Sequence, residues 1–252
     1  MLFNSFPFLV FLPTAFAIYW WAGRYRVGVQ NVIVLVASYI FYGWWDWRFL
    51  TLIFTSSMVD YLVGLNLAKE GRPNRRKLLL GISLTANLGL LAAFKYFGFF
   101  VDSFRQLLLA VGVQVHPLTL NIILPVGISF YTFQTLSYTI DLYRGRIAVT
   151  RDPISFFAFV SFFPQLVAGP IERAKSLLPQ FELRRSFEVS AAKDGLRQIL
   201  WGLFKKMVVA DNLAPRVDYI FGNYSNLDAP TLLLGGFFLP CKYTVTFPAT
   251  RT

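Results

Sequence analysis

At 252 residues the chain is 56% hydrophobic and 18% aromatic but only 15% charged, whereas a soluble domain carries about 25% charged residues. With 27 Phe spread along it, it reads as an all-α polytopic membrane protein, and its net charge of +11 sits beside apolar runs, as in cytoplasmic loops rather than a nucleic-acid surface. One Cys and one His exclude an internal disulfide framework and a transition-metal ligand set of the usual kind.

Phe6 to Ala22 is the first candidate span, slightly short for the ~20 apolar residues a bilayer asks. Pro7 and Pro13 fall within this run, which a membrane helix tolerates when neighbours satisfy its backbone. The segment has no basic n-region and no small-residue cleavage site, so a cleaved signal peptide is not expected. Asn31 to Trp45 follows and ends in Tyr42-Gly43-Trp44-Trp45-Asp46-Trp47, an aromatic cluster suited to the headgroup level. Phe49 to Ala68 and Leu78 to Phe97 are the third and fourth runs. From Phe99 to Val111 the pattern loosens into an amphipathic helix with Asp102 and Arg105. Leu118 to Tyr143 is broken by Pro125 and Gly127, which predicts a short piece and then a span. Ile154 to Val167 is short for a span and suits a tilted or re-entrant helix.

Arg24 and Arg26 follow the first run, and Arg72, Arg75, Arg76 and Lys77 follow the third. Both loops should face the cytoplasm, placing Met1 and the Trp44–Arg48 corner outside. Ser186 to Val209 is a basic amphipathic segment, with Ser186 as a candidate cap. Phe187, Val189, Leu196, Ile199, Leu200, Leu203 and Phe204 form its apolar side, against Lys193, Arg197, Lys205 and Lys206. It suits the interface plane against anionic headgroups; a solvated face over a packed core is the alternative. Asp218 to Pro230 is polar and turn-rich, and Thr231 to Leu239 starts another apolar run.

Several polar residues fall at membrane depth. Asp60 lies past the middle of the third run, where a carboxylate costs about 2.5–3.5 kcal/mol on insertion scales. A packing hydrogen bond to a Ser or Tyr of a neighbouring helix is favoured there over a substrate-path role. Gln134 and Asp141 lie seven residues apart and share a helix face with Tyr138, which should point inward. Lys95 sits at a helix end and can snorkel. His116, beside Pro117 in an expected loop, reads as structural or solvated. From Phe162 to Arg173 two prolines, a glycine and an adjacent Glu-Arg pair interrupt apolar sequence. Broken backbone at that depth is tolerated only inside protein or along a wet cavity.

These segments carry a resemblance. Leu124-Pro125-Val126-Gly127-Ile128-Ser129-Phe130-Tyr131-Thr132-Phe133-Gln134-Thr135-Leu136-Ser137-Tyr138 resembles a signature of bacterial membrane-bound O-acyltransferases. Pro164 to Arg173 resembles a second, and Trp201-Gly202-Leu203-Phe204-Lys205-Lys206 a third. Phe3-Asn4-Ser5 and the Tyr39–Trp47 corner fit as well. Their order and spacing to about Pro240 look like the alginate O-acetyltransferase type, with the D-alanyl teichoic-acid transferase type as a cousin.

The resemblance implies a partial ring of helices around a thin centre, with re-entrant and interfacial helices, in the bacterial cytoplasmic (inner) membrane. It implies an acyl donor such as acetyl-CoA or an acyl-carrier thioester, with no bound cofactor and no metal. Its partners would be the bilayer, extracellular or periplasmic acetyltransferases and a polysaccharide acceptor, and not nucleic acid. Gln134, Asp141, Gln165, Pro170 and Glu172 are the substrate-path candidates. The family's histidine, in a Trp-His-Gly type motif, would act as general base or acyl carrier. That motif and the Arg-Trp-His type motif are both absent here, His116 matches neither, and no catalytic residue is assigned.

Residues 1–240 are thus expected to be the N-terminal part of the membrane domain. Residues 241–252 match nothing in the family, and one shifted base would let their codons read Leu-Gln-Ile-Tyr-Cys-Asp-Phe-Ser-Gly-Tyr-Thr-Asp, which fits the next motif. An out-of-frame tail and a truncated, catalytically incomplete chain are the expectation. A transporter fragment should show two related halves, and none is visible; a scaffold without activity is the third reading.

Overall fold

The computed structural model describes residues 3, 5–22, 26–111, 125, 127–169 and 172–244. Among them every regular element is helical. His116, Pro170 and residues 245–252 of the tail lie outside the described residues. The chain divides into two compact units: Pro13–Arg184, and the chain from Arg185 onward together with its first residues to Leu12.

The first unit contains α2 (Val27–Gly43), α3 (Phe49–Lys69), α4 (Pro73–Lys95), α5 (Phe97–Ala110), α6 (Ile128–Tyr143), α7 (Pro153–Val160), α8 (Phe163–Ala168), α9 (Ala174–Leu177) and α10 (Pro179–Glu182). The helix α1 covers Phe6–Ala22, as its apolar run predicts. The fourth run starts earlier than hydropathy suggests. Pro73 at the first helical position presets φ for the helix, so Arg75, Arg76 and Lys77 are helical rather than loop residues. That helix ends at Lys95, and Phe97 opens α5, none of whose residues is buried.

Among the described residues two helices, α3 and α4, are long and apolar enough to cross a membrane. Beside an apolar core, α2 and α4 carry a pattern unlike that of a water-soluble fold. In α2 the buried residues include Gln30, Asn31 and Ser38, while Val29, Val32, Val36 and Ile40 are exposed. In α4, Ser83 and Asn87 are buried while Leu78, Ile82 and Leu88 face outward. Water would not leave those faces bare, but lipid tails are as apolar as leucine and give helices no reason to hide it. Polar groups instead turn inward and pair. The described residues are all-helical where regular and have the pattern of a helical membrane protein.

Within the unit α3 packs on both α4 and α6, and α2 packs on α7. Arg76 ties the ends of this group together. Its guanidinium donates to the carbonyls of Leu67 (2.7 Å) and Glu70 (3.3 Å) at the end of α3, and to Tyr143 O (2.9 Å) at the end of α6. Three of the orphan carbonyls that terminate helices are satisfied this way.

The second unit holds α11 (Val189–Phe204), a π-helical stretch (Lys205–Ala210), α12 (Asp211–Gly222), a 3₁₀ turn (Tyr224–Asn226) and α13 (Ala229–Thr244). The basic amphipathic segment is thus helical with no buried residue in α11. Ser186 does not cap it. The helix begins after Glu188, and residues 184–188 run without regular structure, too far upstream for the Ser186 hydroxyl to serve as the N-cap acceptor. Phe187 therefore lies outside the helix. In the π stretch the Asn212 side chain donates to Met207 O (3.2 Å) and Val208 O (2.8 Å), and Lys206 pairs with Asp211. The span expected as turn-rich, Asp218 to Pro230, is helical through Gly222 before the chain turns.

Candidate functional site

The run expected to be short and re-entrant is two helices with a break at Ser161–Phe162. Asp152 caps α7, accepting from the amides of Ile154 (3.1 Å) and Ser155 (3.2 Å), and Pro153 takes the first helical position. Phe156, Ala158, Phe159 and Val160 are wholly buried. Tyr138 packs edge-on against Phe156 with ring centroids 4.8 Å apart. An interrupted helix leaves carbonyls and amides without intrahelical partners, and side chains from two other helices supply them. Gln134 Nε2 donates to Phe159 O at 2.7 Å from α6. The Phe163 amide donates to Ser38 Oγ at 3.2 Å on α2. Ser161 Oγ returns to Phe157 O at 2.7 Å.

The same face of α6 meets the segment after the break at two further points. Gln134 Nε2 reaches Gln165 Oε1 at 3.5 Å, and both residues are buried. Gly127, the N-cap of α6, adopts φ +80°, and a Cβ there would lie 2.8 Å from Leu166 O. Further on, the Ala174 amide donates to Ser137 Oγ at 3.3 Å. Two of the sequence segments that carry the family resemblance, one around Gly127 to Tyr138 and one around Pro164 to Arg173, therefore lie against each other. Tyr131 Oη and Thr132 Oγ1, on this helix, are buried with no hydrogen-bond partner among the described residues.

A second polar cluster fills the middle of α3, α4 and α6. Asp60 is fully buried. Ser83 Oγ and Thr139 Oγ1 (2.9 Å) donate to one of its oxygens, and Asn87 Nδ2 (2.7 Å) to the other. Asn87 Oδ1 in turn accepts from Ser56 Oγ (2.6 Å) and Thr135 Oγ1 (3.3 Å). A carboxyl in lipid is expensive unless it is buried among donors, and these donors come from both neighbouring helices. The packing reading of Asp60 is the one this geometry supports.

Of the five path candidates, Gln134 and Gln165 come together. Asp141 lies two turns further along α6. It is buried but faces the following loop, with Arg146 Nη1 at 3.5 Å and the Arg146 amide on its own carbonyl at 2.9 Å. Glu172 is half-buried in the segment leading into α9, and Pro170 is outside the described residues. Ser38, Asn31 and Ser137 were passed over in the sequence. Asn31 links three elements, donating to Ser155 Oγ (2.9 Å) on α7 and Phe181 O (2.7 Å) on α10. The signal was present: an amide at depth in an apolar run needs a partner as surely as a charge does.

Amides and hydroxyls can hold and orient a polar group but cannot accept a proton at neutral pH. The Gln134–Gln165 pair has the chemistry to orient a polar group, and among the described residues no group of three His, Cys, Asp or Glu could hold a metal.

The chain matches no family model and no solved structure. Among characterised sequences, it is 41% identical over 226 residues to the probable alginate O-acetylase AlgI of Pseudomonas putida, covering 88% of this chain and 45% of that protein. The corresponding protein of Pseudomonas aeruginosa is also 41% identical, with 42% of its length covered. A peptidoglycan O-acetyltransferase of Helicobacter pylori is 33% identical over 257 residues, covering 90% of this chain and 48% of that protein. The chain spans less than half the length of these relatives.

Proposed function

Because the chain is a homologue of the alginate O-acetylases along most of its length, as its membrane-bound O-acyltransferase motifs indicate, we propose that it forms part of the acyl path of a membrane O-acetyltransferase serving an exported polysaccharide. The donor would be acetyl-CoA or an acyl-carrier thioester on the cytoplasmic side. The acceptor would be a partner acetyltransferase or the polymer outside. The single observation that supports this reading most is the meeting of two signature segments at Gln134 and Gln165, on the helix whose Tyr131 and Thr132 hydroxyls are buried with no hydrogen-bond partner among the described residues. A site with spare polar capacity in the core suits water or a substrate passing through.

The proposal extends to what the resemblance implies: a ring of helices in the inner membrane with the N-terminus outside, and α11 lying in the interface plane. It includes the reading of residues 241–252 as out of frame, so that this chain alone lacks the catalytic histidine motif. Sequencing the coding DNA from codon 230 tests that part; a frame restored by one base, followed by a Trp-His-Gly motif, is the expected result, and an intact frame at codon 240 overturns it.

Acyl transfer itself is tested in membranes expressing this gene with its downstream sequence, supplied with labelled acetyl donor. Gln134→Leu should lower label on polymer by about a hundredfold, the scale expected when a reacting group is misplaced by about 1 Å. Wild-type transfer by the variant at equal protein level would remove Gln134 from the path. Transfer of D-alanine in place of acetyl, or label appearing on a cell-wall polymer, would favour a cell-wall acceptor; the name of the peptidoglycan O-acetyltransferase homologue supports the acceptor and not D-alanine.

A further inference from the structure

The connection between the two helices able to span the membrane carries a cavity of about 520 Å³ lined by Asn66, Lys69, Glu70, Arg75, Leu78 and Leu79. Because it lies at the ends of both α3 and α4, its depth is that of the lipid headgroups. Its lining is two-sided in chemistry. Lys69 and Arg75 present cations at the rim, and Leu78 and Leu79 form an apolar wall that continues into the lipid-facing side of α4.

The charge there is unbalanced. From Lys69 to Lys77 the chain carries Lys69, Arg72, Arg75, Arg76 and Lys77 against Glu70 alone. Arg76 is committed to the three carbonyls that close α3 and α6. Glu70 contacts Arg75 at 3.7 Å in a loose pair whose guanidinium is largely exposed, and the other Glu70 oxygen accepts from the Arg72 amide at 3.0 Å; such a pair is worth little to stability. Lys69 has no ion-pair partner among the described residues. The cavity thus keeps a net positive rim over an apolar wall. Free phosphate would use only the first of these features, whereas a phospholipid uses both.

We propose that this cavity is a binding site for an anionic phospholipid, with the headgroup phosphate between Lys69 and Arg75 and the upper part of an acyl chain along Leu78 and Leu79. Basic pockets between spanning helices suit such headgroups. The site is independent of acyl transfer, and its readout does not require a working enzyme.

The test is native mass spectrometry of the detergent-purified protein titrated with phosphatidylglycerol or phosphatidylcholine. The wild type is expected to retain one phosphatidylglycerol in preference to phosphatidylcholine. Removing one cation near a membrane surface weakens anionic lipid binding by about fivefold. Lys69→Gln with Arg75→Gln should therefore weaken it about 25-fold, and Arg72→Gln with Lys77→Gln, which removes as much charge outside the lining, should weaken it far less. Equal loss in the two double variants would mean diffuse attraction to a basic loop and would overturn the site. Equal retention of both lipids by the wild type would overturn it too. Inorganic phosphate competing as well as lipid would show a simple anion site and sink the lipid assignment. Matched elution and helicity of the two double variants keep misfolding out of the comparison.

Discussion

Replacing Asp60 with Leu is expected to make the chain enter the membrane more readily and hold its fold less well. The two effects have opposite signs because they act on different steps. On insertion scales a central Asp costs about 2.5–3.5 kcal/mol, and Leu is favourable by roughly 0.5 kcal/mol, so integration of α3 as a single helix improves by about 3 kcal/mol. In the packed protein the same change strands Ser83 Oγ and Thr139 Oγ1 and leaves Asn87 Nδ2 only its bond to the Ser83 carbonyl (3.0 Å). Hydrogen bonds between membrane helices average only about 0.6 kcal/mol, but a buried donor left without any partner costs about 1–3 kcal/mol. Two such donors outweigh the lost bonds themselves and destabilise the packing of α3 on α4 and α6 by roughly 2 kcal/mol or more. Integration measured by glycosylation tags should rise, while resistance to heat and protease after solubilisation should fall. Unchanged heat resistance would show that Asp60 is dispensable to packing.

The second large effect is expected at Gly127. Alanine there meets two obstacles. The left-handed backbone costs a residue with Cβ about 1–2 kcal/mol, and the new Cβ would sit 2.8 Å from Leu166 O. A flexible side chain could yield, but a backbone carbonyl in α8 yields only by moving that helix. The total is expected near 3 kcal/mol, with α8 displaced from α6. Gly145→Ala is the matched control, because Gly145 also has positive φ (68°) but open space around its Cβ position; it should pay the backbone cost alone. Hydrogen exchange of the amides from 163 to 169 should quicken in the Gly127 variant and stay unchanged in the Gly145 variant. Similar exchange in both would mean that the approach to Leu166 does not hold α8 in place.

Much of this architecture was legible in the residues, for reasons that can be named. Apolar runs located α1 and α3 closely, because lipid imposes a length and tolerates few charges. The seven-residue spacing of Gln134 and Asp141 located one buried face of α6, because helical periodicity survives in lipid. Helix ends were less visible. The start of α4 is set by Pro73, whose fixed φ overrides the polarity of the residues after it, and the start of α11 lies past Ser186, which is a good cap only at the right position. The partners of Asp60 were foreseen in kind, as a Ser of a neighbouring helix, but not in identity, since Asn87 and Thr139 reach it from helices whose register the sequence does not display. Gln134 was placed on the right face, yet its contact with the Phe159 carbonyl depends on where α7 breaks, and hydropathy is continuous through that point.

The break at Ser161–Phe162 bears on how the chain is made. Its free carbonyl and amide are met by Gln134 and Ser38, on helices synthesised well before it. As α7 and α8 leave the ribosome, they are too short to cross the bilayer and carry backbone groups that lipid will not accept. They can seat only once α2 and α6 are both in place, each packed on α3, and offer those partners. The break thus implies an order of assembly: α2, α3 and α6 form a receptacle, the interrupted pair seats after them, and a slow step in translation after residue 169 would give the receptacle time to close.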